Sequence, residues 1–448
     1  MQPISGAVST LFGADPFWVA VAIFALTYLL IIAERINRSI IALLGAGVTV
    51  VSGVLSQDEA IRGIDFNTIA LLTGMMVLVA IARRCGMFEY VAVWSAKRGR
   101  AQPWAMLAML SLVTAVVSAF LDNVTTVLLI APVTLSVTRL LEAPPYPFLF
   151  AEVFASNIGG TATLIGDPPN IIIGSAAHLS FNDFVVALTP VIIVVMAAQL
   201  IATHLIWGRD MRATPEARAR VMALDERGMI TDLPLMRTSL FVIGGVIAAF
   251  VAAGPLGLQP GTIALFGAAV LMLFHNFEHH REKEKQTLRV TETFAEVDWI
   301  TIFFFLGLFV IVHGVDAAGL LSLAAQQLIA LTGHDPTATA MAILWGSAIL
   351  SAIVDNIPFV AAVIPLIREL APHLGGPEEL MPLWWALSLG ACLGGNGTLI
   401  GASANLTVAG IAERNGVPFG FLTYTKHAFG LMLISVGIST LYLWWRYL

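Results

Sequence analysis

Residues 157–170 read NIGGTATLIGDPPN and residues 392–405 read CLGGNGTLIGASAN, so the chain carries one glycine-rich polar phrase twice. Both copies lie inside stretches that are otherwise apolar and long enough to cross a bilayer. Six of the identical positions show the constant spacing of 235 residues. Gly159, Gly160, Leu164, Ile165, Gly166 and Asn170 recur as Gly394, Gly395, Leu399, Ile400, Gly401 and Asn405.

A second set of identities precedes each phrase, with a spacing of 233 residues. It includes the dipeptide Asp-Asn in LDNVTT and VDNIPF, which interrupts an apolar stretch in each half. The chain therefore consists of two copies of one structural unit. Gly74, Gly86, Asp122, Asn123 and Pro132 recur as Gly307, Gly319, Asp355, Asn356 and Pro365.

The composition indicates a polytopic membrane protein. Hydrophobic residues make up 58% of the chain and charged residues 12%, whereas soluble domains have roughly 45–50% and 25%. The mean hydropathy is +0.86. Long apolar runs without strand-like alternation predict an all-α polytopic membrane protein.

The apolar runs predict the same order of elements in each half: three spans, a re-entrant helical hairpin, a broken transmembrane helix and a final span. Each copy then crosses the membrane five times, about ten transmembrane helices in all, and the odd number inverts the second copy relative to the first. The predicted units are a first inverted repeat (1–206, hairpin 104–140, broken helix 148–178), a cytoplasmic linker (207–237) and a second inverted repeat (238–448, hairpin 337–371, broken helix 382–413). Single spans are predicted near 17–34, 39–55, 66–82, 184–206, 238–254, 260–275, 298–314 and 422–445.

The basic residues provide a test of this arrangement, because lysine and arginine favour the cytoplasmic side of short loops. The predicted spans place 20 of the 23 basic residues on one side. Only Arg62, Arg368 and Arg446 fall on the other. The chain is therefore predicted to lie in the inner (plasma) membrane with both termini outside the cytoplasm and the loops 207–237 and 276–297 inside.

Broken helices at membrane depth point to a transport function. An interruption exposes backbone groups that only protein, water or a bound solute can satisfy, and paired inverted breaks are a recurring design of secondary transporters. Two breaks and two hairpin tips that converge from opposite sides would enclose one polar cavity. We expect this cavity to be the transport site.

Four carboxyl groups are candidates for proton coupling. Asp122 and Asp355 lie at the two hairpin tips, where each can also cap the helix that follows. Asp167 stands opposite alanine in the second repeat, and Glu152 stands opposite leucine, so neither is needed by the shared fold. Asp167 is alternatively a helix N-cap with Ser403 as its counterpart, and Glu152 is alternatively a protonated structural carboxyl.

Neutral hydrogen-bonding side chains surround the breaks and predict a polar solute. No lysine or arginine lies in these motifs, so a strongly anionic substrate would depend on helix N-termini alone. We predict no cofactor and no metal site, and we interpret the pair His275 and His279 as part of a solvated loop. The predicted binding residues are Asp122, Asn123, Asn157, Thr161, Thr163, Asp167, Asn170, Asp355, Asn356, Asn396, Thr398, Ser403 and Asn405.

With these motifs the sequence resembles the ion transporter superfamily, and within it the branch of arsenite permeases and the P protein. The phrases that carry the resemblance are LDNVTTVLLIAPV, NIGGTATLIGDPPNIIIGS, VDNIPFVAAVIPL and LGACLGGNGTLIGASAN. It covers about residues 15–445. Sodium-coupled dicarboxylate carriers of the superfamily have a serine-asparagine-threonine phrase at both tips, which LDNVT and VDNIP do not match.

The resemblance implies a secondary transporter without ATPase motif, exporting arsenite or antimonite in exchange for protons by alternating access. A sodium–proton antiporter is the alternative, and an anion or dicarboxylate permease or a channel is the further one. The expected partners are a small inorganic solute (arsenite, antimonite or sodium), the proton and the lipid bilayer, with no nucleic acid. A homodimer and a separate ATPase subunit are left open.

Overall fold

The computed structural model describes residues 13–33, 35–277 and 282–448, so His279 lies outside the described residues. Helices are the only regular secondary structure in these ranges, which confirms the all-α fold class. Nine of the described helices are long and apolar enough to cross a membrane. The chain is a multi-pass membrane protein.

The first half contains ten α-helices, and each single span predicted there coincides with one of them. These helices are α1 (Pro16–Ile32), α2 (Arg38–Val51), α3 (Gln57–Arg62), α4 (Phe66–Ala82), α5 (Met87–Arg98), α6 (Pro103–Ser118), α7 (Asn123–Leu141), α8 (Tyr146–Thr161), α9 (Pro168–Ala177) and α10 (Phe181–Thr203).

The second half repeats this order after a short helix, α11 (Pro215–Met222), in the linker. Its helical part begins at Leu233, five residues before the predicted boundary, and the division into two inverted domains stays a prediction. The helices are α12 (Leu233–Leu256), α13 (Pro260–Phe277), α14 (Lys283–Ala295), α15 (Trp299–Ala317), α16 (Leu320–Thr332), α17 (Pro336–Ile353), α18 (Asn356–Leu374), α19 (Met381–Gly394), α20 (Ser403–Arg414) and α21 (Phe421–Arg446).

The sequence did not predict α5 and α16, which are counterparts in the two repeats. Each begins after a repeated glycine in the left-handed region, Gly86 at φ +77° and Gly319 at φ +87°. Glycine adopts such a φ without steric cost, and the chain turns there. Both helices are shorter than the roughly 20 residues of a membrane span, so a search for long apolar runs missed them.

Each predicted interruption separates two helices. The hairpin tips fall between α6 and α7 and between α17 and α18, and the broken helices are α8–α9 and α19–α20. Because α7, α17 and α18 are each long and apolar enough to cross a membrane, re-entry on one side stays a prediction.

The two repeats pack against each other reciprocally. Helix α4 contacts α13, the counterpart of α2, and α15 contacts α2 in the same way. A β-carbon on Gly74 would lie 2.5 Å from the backbone of Ala264, and one on Gly307 would lie 2.5 Å from the backbone of Ala42. Side chains larger than hydrogen are thereby excluded at both crossings, which explains these two repeated glycines.

Candidate functional site

The repeated glycines of the opening phrase allow each hairpin to lie directly on its broken helix. A β-carbon on Gly159 would lie 2.1 Å from the carbonyl oxygen of Ala115, and one on Gly394 would lie 2.5 Å from the backbone of Ala348. Helix α6 therefore packs backbone to backbone on α8, and α17 packs in the same way on α19. This close approach brings the hairpin tips to the breaks.

A serine hydroxyl stabilises each of these two helix contacts, α6 with α8 and α17 with α19, at equivalent positions. Ser118 donates to the carbonyl of Ser156 over 2.7 Å, and Ser351 donates to the carbonyl of Ala391 over the same distance. All four residues belong to buried helix faces. The two-repeat symmetry therefore extends to individual hydrogen bonds.

Two threonines of the predicted site also connect each hairpin tip to the break of the neighbouring helix by a hydrogen bond. Thr163 donates to the carbonyl of Ala119, and Thr398 donates to the carbonyl of Ala352. Both acceptors are carbonyls at the end of the first hairpin arm, which a helix leaves without an intrahelical partner. In this structure the hydroxyls of both threonines therefore satisfy backbone carbonyls.

Repeated asparagines close the gaps between the halves of the broken helices. The Asn170 amide donates to the carbonyls of Thr161 and Thr163 at 3.1 and 2.9 Å. The Asn405 amide donates to the carbonyls of Gly395 and Thr398 at 2.8 and 2.9 Å. Carbonyls freed by each break thus find a side-chain donor, as buried backbone groups require.

Asp167 lies at the centre, where both hairpin tips meet. Its Oδ1 accepts from the amide of Asn123 at 3.2 Å and from that of Asn356 at 3.5 Å, so one donor comes from each repeat. The carboxyl is fully buried, and its Oδ2 has no hydrogen-bond partner among the described residues. Asp167 occupies the N-cap position of α9 but makes no side-chain cap bond, so the side-chain capping interpretation is wrong.

Asn157 joins the first tip to the second broken helix. Its Oδ1 accepts from Asn123 at 3.0 Å, and its Nδ2 donates to Asn396 at 2.9 Å and to Asn405 at 3.0 Å. The Nδ2 of Asn396 is buried and has no partner among the described residues. The predicted asparagines of the two repeats therefore form one buried amide network next to Asp167.

The hairpin aspartates Asp122 and Asp355 both cap the second arm of their hairpin, as predicted. Asp122 accepts from the backbone N–H of Thr125 at 2.8 Å, and Asp355 accepts from that of Ile357 at 3.3 Å. They differ in charge balance, because Asp355 forms an ion pair with Arg38 at 2.8 Å. The expectation that the site holds no basic residue is wrong, since this arginine reaches it from the start of α2.

Arg38 links four helices at the hairpin tip of the second repeat. Its guanidinium donates to Ser403 at 2.8 Å and to Thr301 at 3.1 Å, and it lies 5.0 Å from the ring centroid of Phe304. The Ser403 hydroxyl donates to Asp355 at 2.7 Å. Ser403 is the first residue of α20 and Ala402 is the N-cap, so Ser403 does not cap this helix.

A cavity of about 170 Å³ extends from Asp167 to the side of the protein that carries the loop before α15. Its lining includes Asp122 and Asp167 at one end and the partly exposed Arg83 and Glu296 at the other. We call it the inner cavity, because the charge pattern predicts that this side is cytoplasmic. The buried Asp167 is part of the lining of this cavity.

A larger cavity of about 830 Å³ lies on the opposite side and is called the outer cavity. Its lining includes Asp65, Asn67, His313, Asp316 and Arg368, but none of the residues at the hairpin tips. The two cavities share no lining residue.

Thr161 and Glu152 also lie outside the amide network. Thr161 donates to the carbonyl of Asn157 in its own helix at 2.6 Å. Glu152 is buried and accepts from the hydroxyl of Thr134 on α7. Its Oε2 has no hydrogen-bond partner among the described residues.

Sequence reasoning missed Arg38 and Ser388. Ser388 donates to the Oδ1 of Asn170 at 2.6 Å, and the thiol of Cys392 lies 3.6 Å from the same atom. A signal for Ser388 was its position one helical turn before the second phrase. Arg38 had no such signal, because it follows a short loop that the charge pattern assigns to the cytoplasm. No cluster of three or more metal-ligating side chains occurs in the described part of the chain.

Comparison with known proteins gives consistent results. The family model described as citrate transporter matches residues 28–390. A Mycobacterium bovis protein named as an uncharacterized transporter is 44% identical over 433 residues, which cover 96% of this chain and 98% of the relative. The human P protein is 34% identical over 513 positions that cover 95% of this chain and 59% of the relative.

A solved structure shares the fold. The YdaH transporter of Alcanivorax borkumensis, described as having an unusual topology, aligns with a TM-score of 0.59 at 16% sequence identity. The alignment covers 96% of this chain and 98% of that one. At this identity the likeness concerns the fold alone.

Proposed function

Because the chain belongs to the citrate transporter family of the ion transporter superfamily, we propose that it is a secondary transporter that exports arsenite or antimonite in exchange for protons. The observation that carries the proposal is the environment of Asp167. This carboxyl is buried between neutral amides of both repeats, and one of its oxygens has no partner among the described residues.

An isolated charge in this position is costly. An unpaired buried carboxylate loses several kcal/mol of solvation free energy unless a proton or a cation neutralises it. Asp355 has Arg38 for this purpose. Asp167 accepts only neutral amide donors and has no cationic partner among the described residues, so we assign its charge balance to an exchangeable proton, which makes it the coupling group.

The inner cavity supports a small uncharged solute with several hydroxyl groups. Amide and hydroxyl side chains surround Asp167, and the guanidinium of Arg38 is already engaged by Asp355. Arsenous acid, As(OH)₃, is a neutral hydrogen-bonding solute of this kind. A tricarboxylate would bring its negative charges next to Asp122 and Asp167 without a free cationic partner among the described residues.

The separation of the cavities supports transport by alternating access. A proton loads Asp167 when the site faces outward, and the proton leaves and the solute binds when the site communicates with the inner cavity. The outer and inner cavities share no lining residue, which favours an alternating carrier over an open channel. The location in the inner (plasma) membrane and the orientation with both termini outside stay predictions. Whether the chain forms a homodimer or binds an ATPase subunit is left open.

Sodium–proton antiport is the second candidate, and the charge of the inner cavity favours it. The lining contains four carboxylates, of Asp122, Asp167, Glu296 and Asp298, and two guanidinium groups. A net negative lining attracts cations and raises their local concentration. Sodium would then compete with the proton at Asp167.

Flux measurements in proteoliposomes with an imposed pH gradient test both candidates. Arsenite accumulation that depends on the gradient supports the first, and sodium exchange without arsenite movement supports the second. Asp167→Asn removes the exchangeable charge with little change in shape, so we expect it to abolish gradient-driven transport while solute binding persists. Asp183→Asn, at an exposed capping box of α10, is the matched control and should transport normally. Full gradient-driven transport by Asp167→Asn would exclude Asp167 as the coupling group.

A further inference from the structure

Five buried polar side chains on α6, α7 and α8 distinguish the first repeat from the second. Each is at most 1% exposed. The counterparts in the second repeat are apolar in four of the five positions. The five are Ser111, Thr114, Thr126, Thr134 and Glu152, and their counterparts are Leu344, Ser347, Phe359, Ile367 and Leu387. The shared fold therefore does not require this polarity.

Most of these groups lack a hydrogen-bond partner. The hydroxyls of Ser111, Thr114 and Thr126 and the Oε2 of Glu152 are buried and have none among the described residues. Leaving a polar group unsatisfied costs about 1–3 kcal/mol. Buried water normally satisfies such groups when several of them lie together.

The positions along α7 connect the set to the transport site. Asn123, Thr126 and Thr134 follow helical spacing on the buried side of α7. Asn123 donates to Asp167 at the tip, and Thr134 donates to Glu152 further along. The eleven residues from Asn123 to Thr134 span roughly 16 Å, a distance that a few waters can bridge.

Helix α6 brings the remaining two hydroxyls to the same region. It runs beside α8, with the Ser118 hydroxyl 3.3 Å from the β-carbon that Gly160 would carry. Seven residues earlier on each helix lie Ser111 and Val153, so Ser111 lies within about one turn of Glu152 in depth. Thr114 is one turn closer to the tip.

We infer that these side chains form a hydrated proton path from Asp167 to Glu152, separate from the inner cavity. An O–H bond of the Asp167 carboxyl breaks, each water on the way accepts one proton and passes one on, and an O–H bond forms on the Glu152 carboxylate. Glu152 then releases the proton to water on the predicted cytoplasmic side. This inference rests on the proton coupling of the proposed function.

A second route for the proton is needed because the solute and the proton would otherwise share the inner cavity. An exported solute must reach Asp167 through the inner cavity at the time when the proton leaves. In a space of about 170 Å³ the solute would block the proton's exit. A path through α6, α7 and α8 lets the proton leave while the solute enters.

The first test compares proton-coupled transport with solute exchange. Glu152→Gln combined with Thr126→Val should lower gradient-driven flux and proton movement, read by a trapped pH dye, by about 100-fold. Exchange of labelled for unlabelled solute without a pH gradient should stay within about twofold, since no net proton transfer is needed there. Ser347→Ala, at the polar counterpart in the second repeat, should leave both rates unchanged. Equal loss of both rates in the double variant, or no loss at all, would overturn the path.

The second test does not depend on the solute. Hydroxyl-radical footprinting with X-ray pulses labels side chains beside bound water. We expect labelling at positions 111, 114, 126 and 152 of the wild-type chain and none at 344, 359 and 387. Absence of the first set of labels overturns the path whichever solute is carried. If the labels are present and neither arsenite nor sodium is transported, the proposed substrates fail and the path stands.

Discussion

The ion pair between Arg38 and Asp355 gives a quantitative prediction. The Arg38 guanidinium lies 2.8 Å from the Asp355 carboxylate, and the two side chains are 26% and 16% exposed. Breaking a fully buried pair costs about 3–5 kcal/mol, and an exposed pair is worth about 0–1 kcal/mol. For this degree of burial we expect Arg38→Met to lower the free energy of unfolding by about 2–3 kcal/mol.

A double-mutant cycle separates the pair from its surroundings. Arg38 also donates to Ser403 and Thr301, so part of the loss in Arg38→Met does not involve Asp355. Asp355→Asn keeps the ability to cap α18 and removes the charge. We expect the double variant to reveal a coupling energy of about 1–2 kcal/mol between Arg38 and Asp355.

The measurement is reversible unfolding of the purified protein in mixed detergent micelles, followed by tryptophan fluorescence. The pair Arg220 and Glu142 is the control, because its side chains are 46% and 62% exposed, and its coupling energy should be below about 0.5 kcal/mol. A coupling between Arg38 and Asp355 no larger than that of the control would refute the assignment of Arg38 to the site.

The remaining predictions concern packing and topology. Gly159→Ala should destabilise the protein by about 3 kcal/mol or more, because its β-carbon would overlap the backbone oxygen of Ala115 at 2.1 Å. Gly346→Ala, inside α17 with open space around its β-carbon, should instead stabilise by about 0.5–1 kcal/mol in the same unfolding assay; equal effects would contradict the close approach of α6 and α8. Met222→Cys should react with a membrane-impermeant thiol reagent only from the cytoplasm and Leu258→Cys only from outside. The opposite labelling would reverse the predicted orientation.

The sequence was sufficient for the fold class, the span order and the repeat. Long apolar runs have few alternatives in a bilayer, because every backbone group must be satisfied within a helix. The constant spacings of 233 and 235 residues identified matching elements without any coordinates. The same spacings predicted that Asp122 and Asp355 cap equivalent helices, since a hairpin tip must satisfy its exposed N–H groups.

Only the tertiary structure decided how the site residues divide their roles. Thr163, Asn170 and Asn405 satisfy carbonyls at the tips and breaks, a role that depends on distances between segments far apart in the chain. Asp167 is the N-cap residue of α9 and Ser403 is the first residue of α20. Neither side chain caps its helix, because the hairpin tips bind both side chains instead.

Arg38 shows the limit of the sequence most clearly. It begins α2 after a short polar loop, and the spacing of the chain does not connect it with Asp355, 317 residues away. The reciprocal packing of α2 on α15 brings it there. The sequence by itself determined which segments are equivalent and which are apolar enough to enter the membrane, because local hydrophobicity and repetition encode both. The tertiary structure decided that Asp355 is neutralised by Arg38 while Asp167 has no cationic partner among the described residues, because charge balance depends on which helices meet.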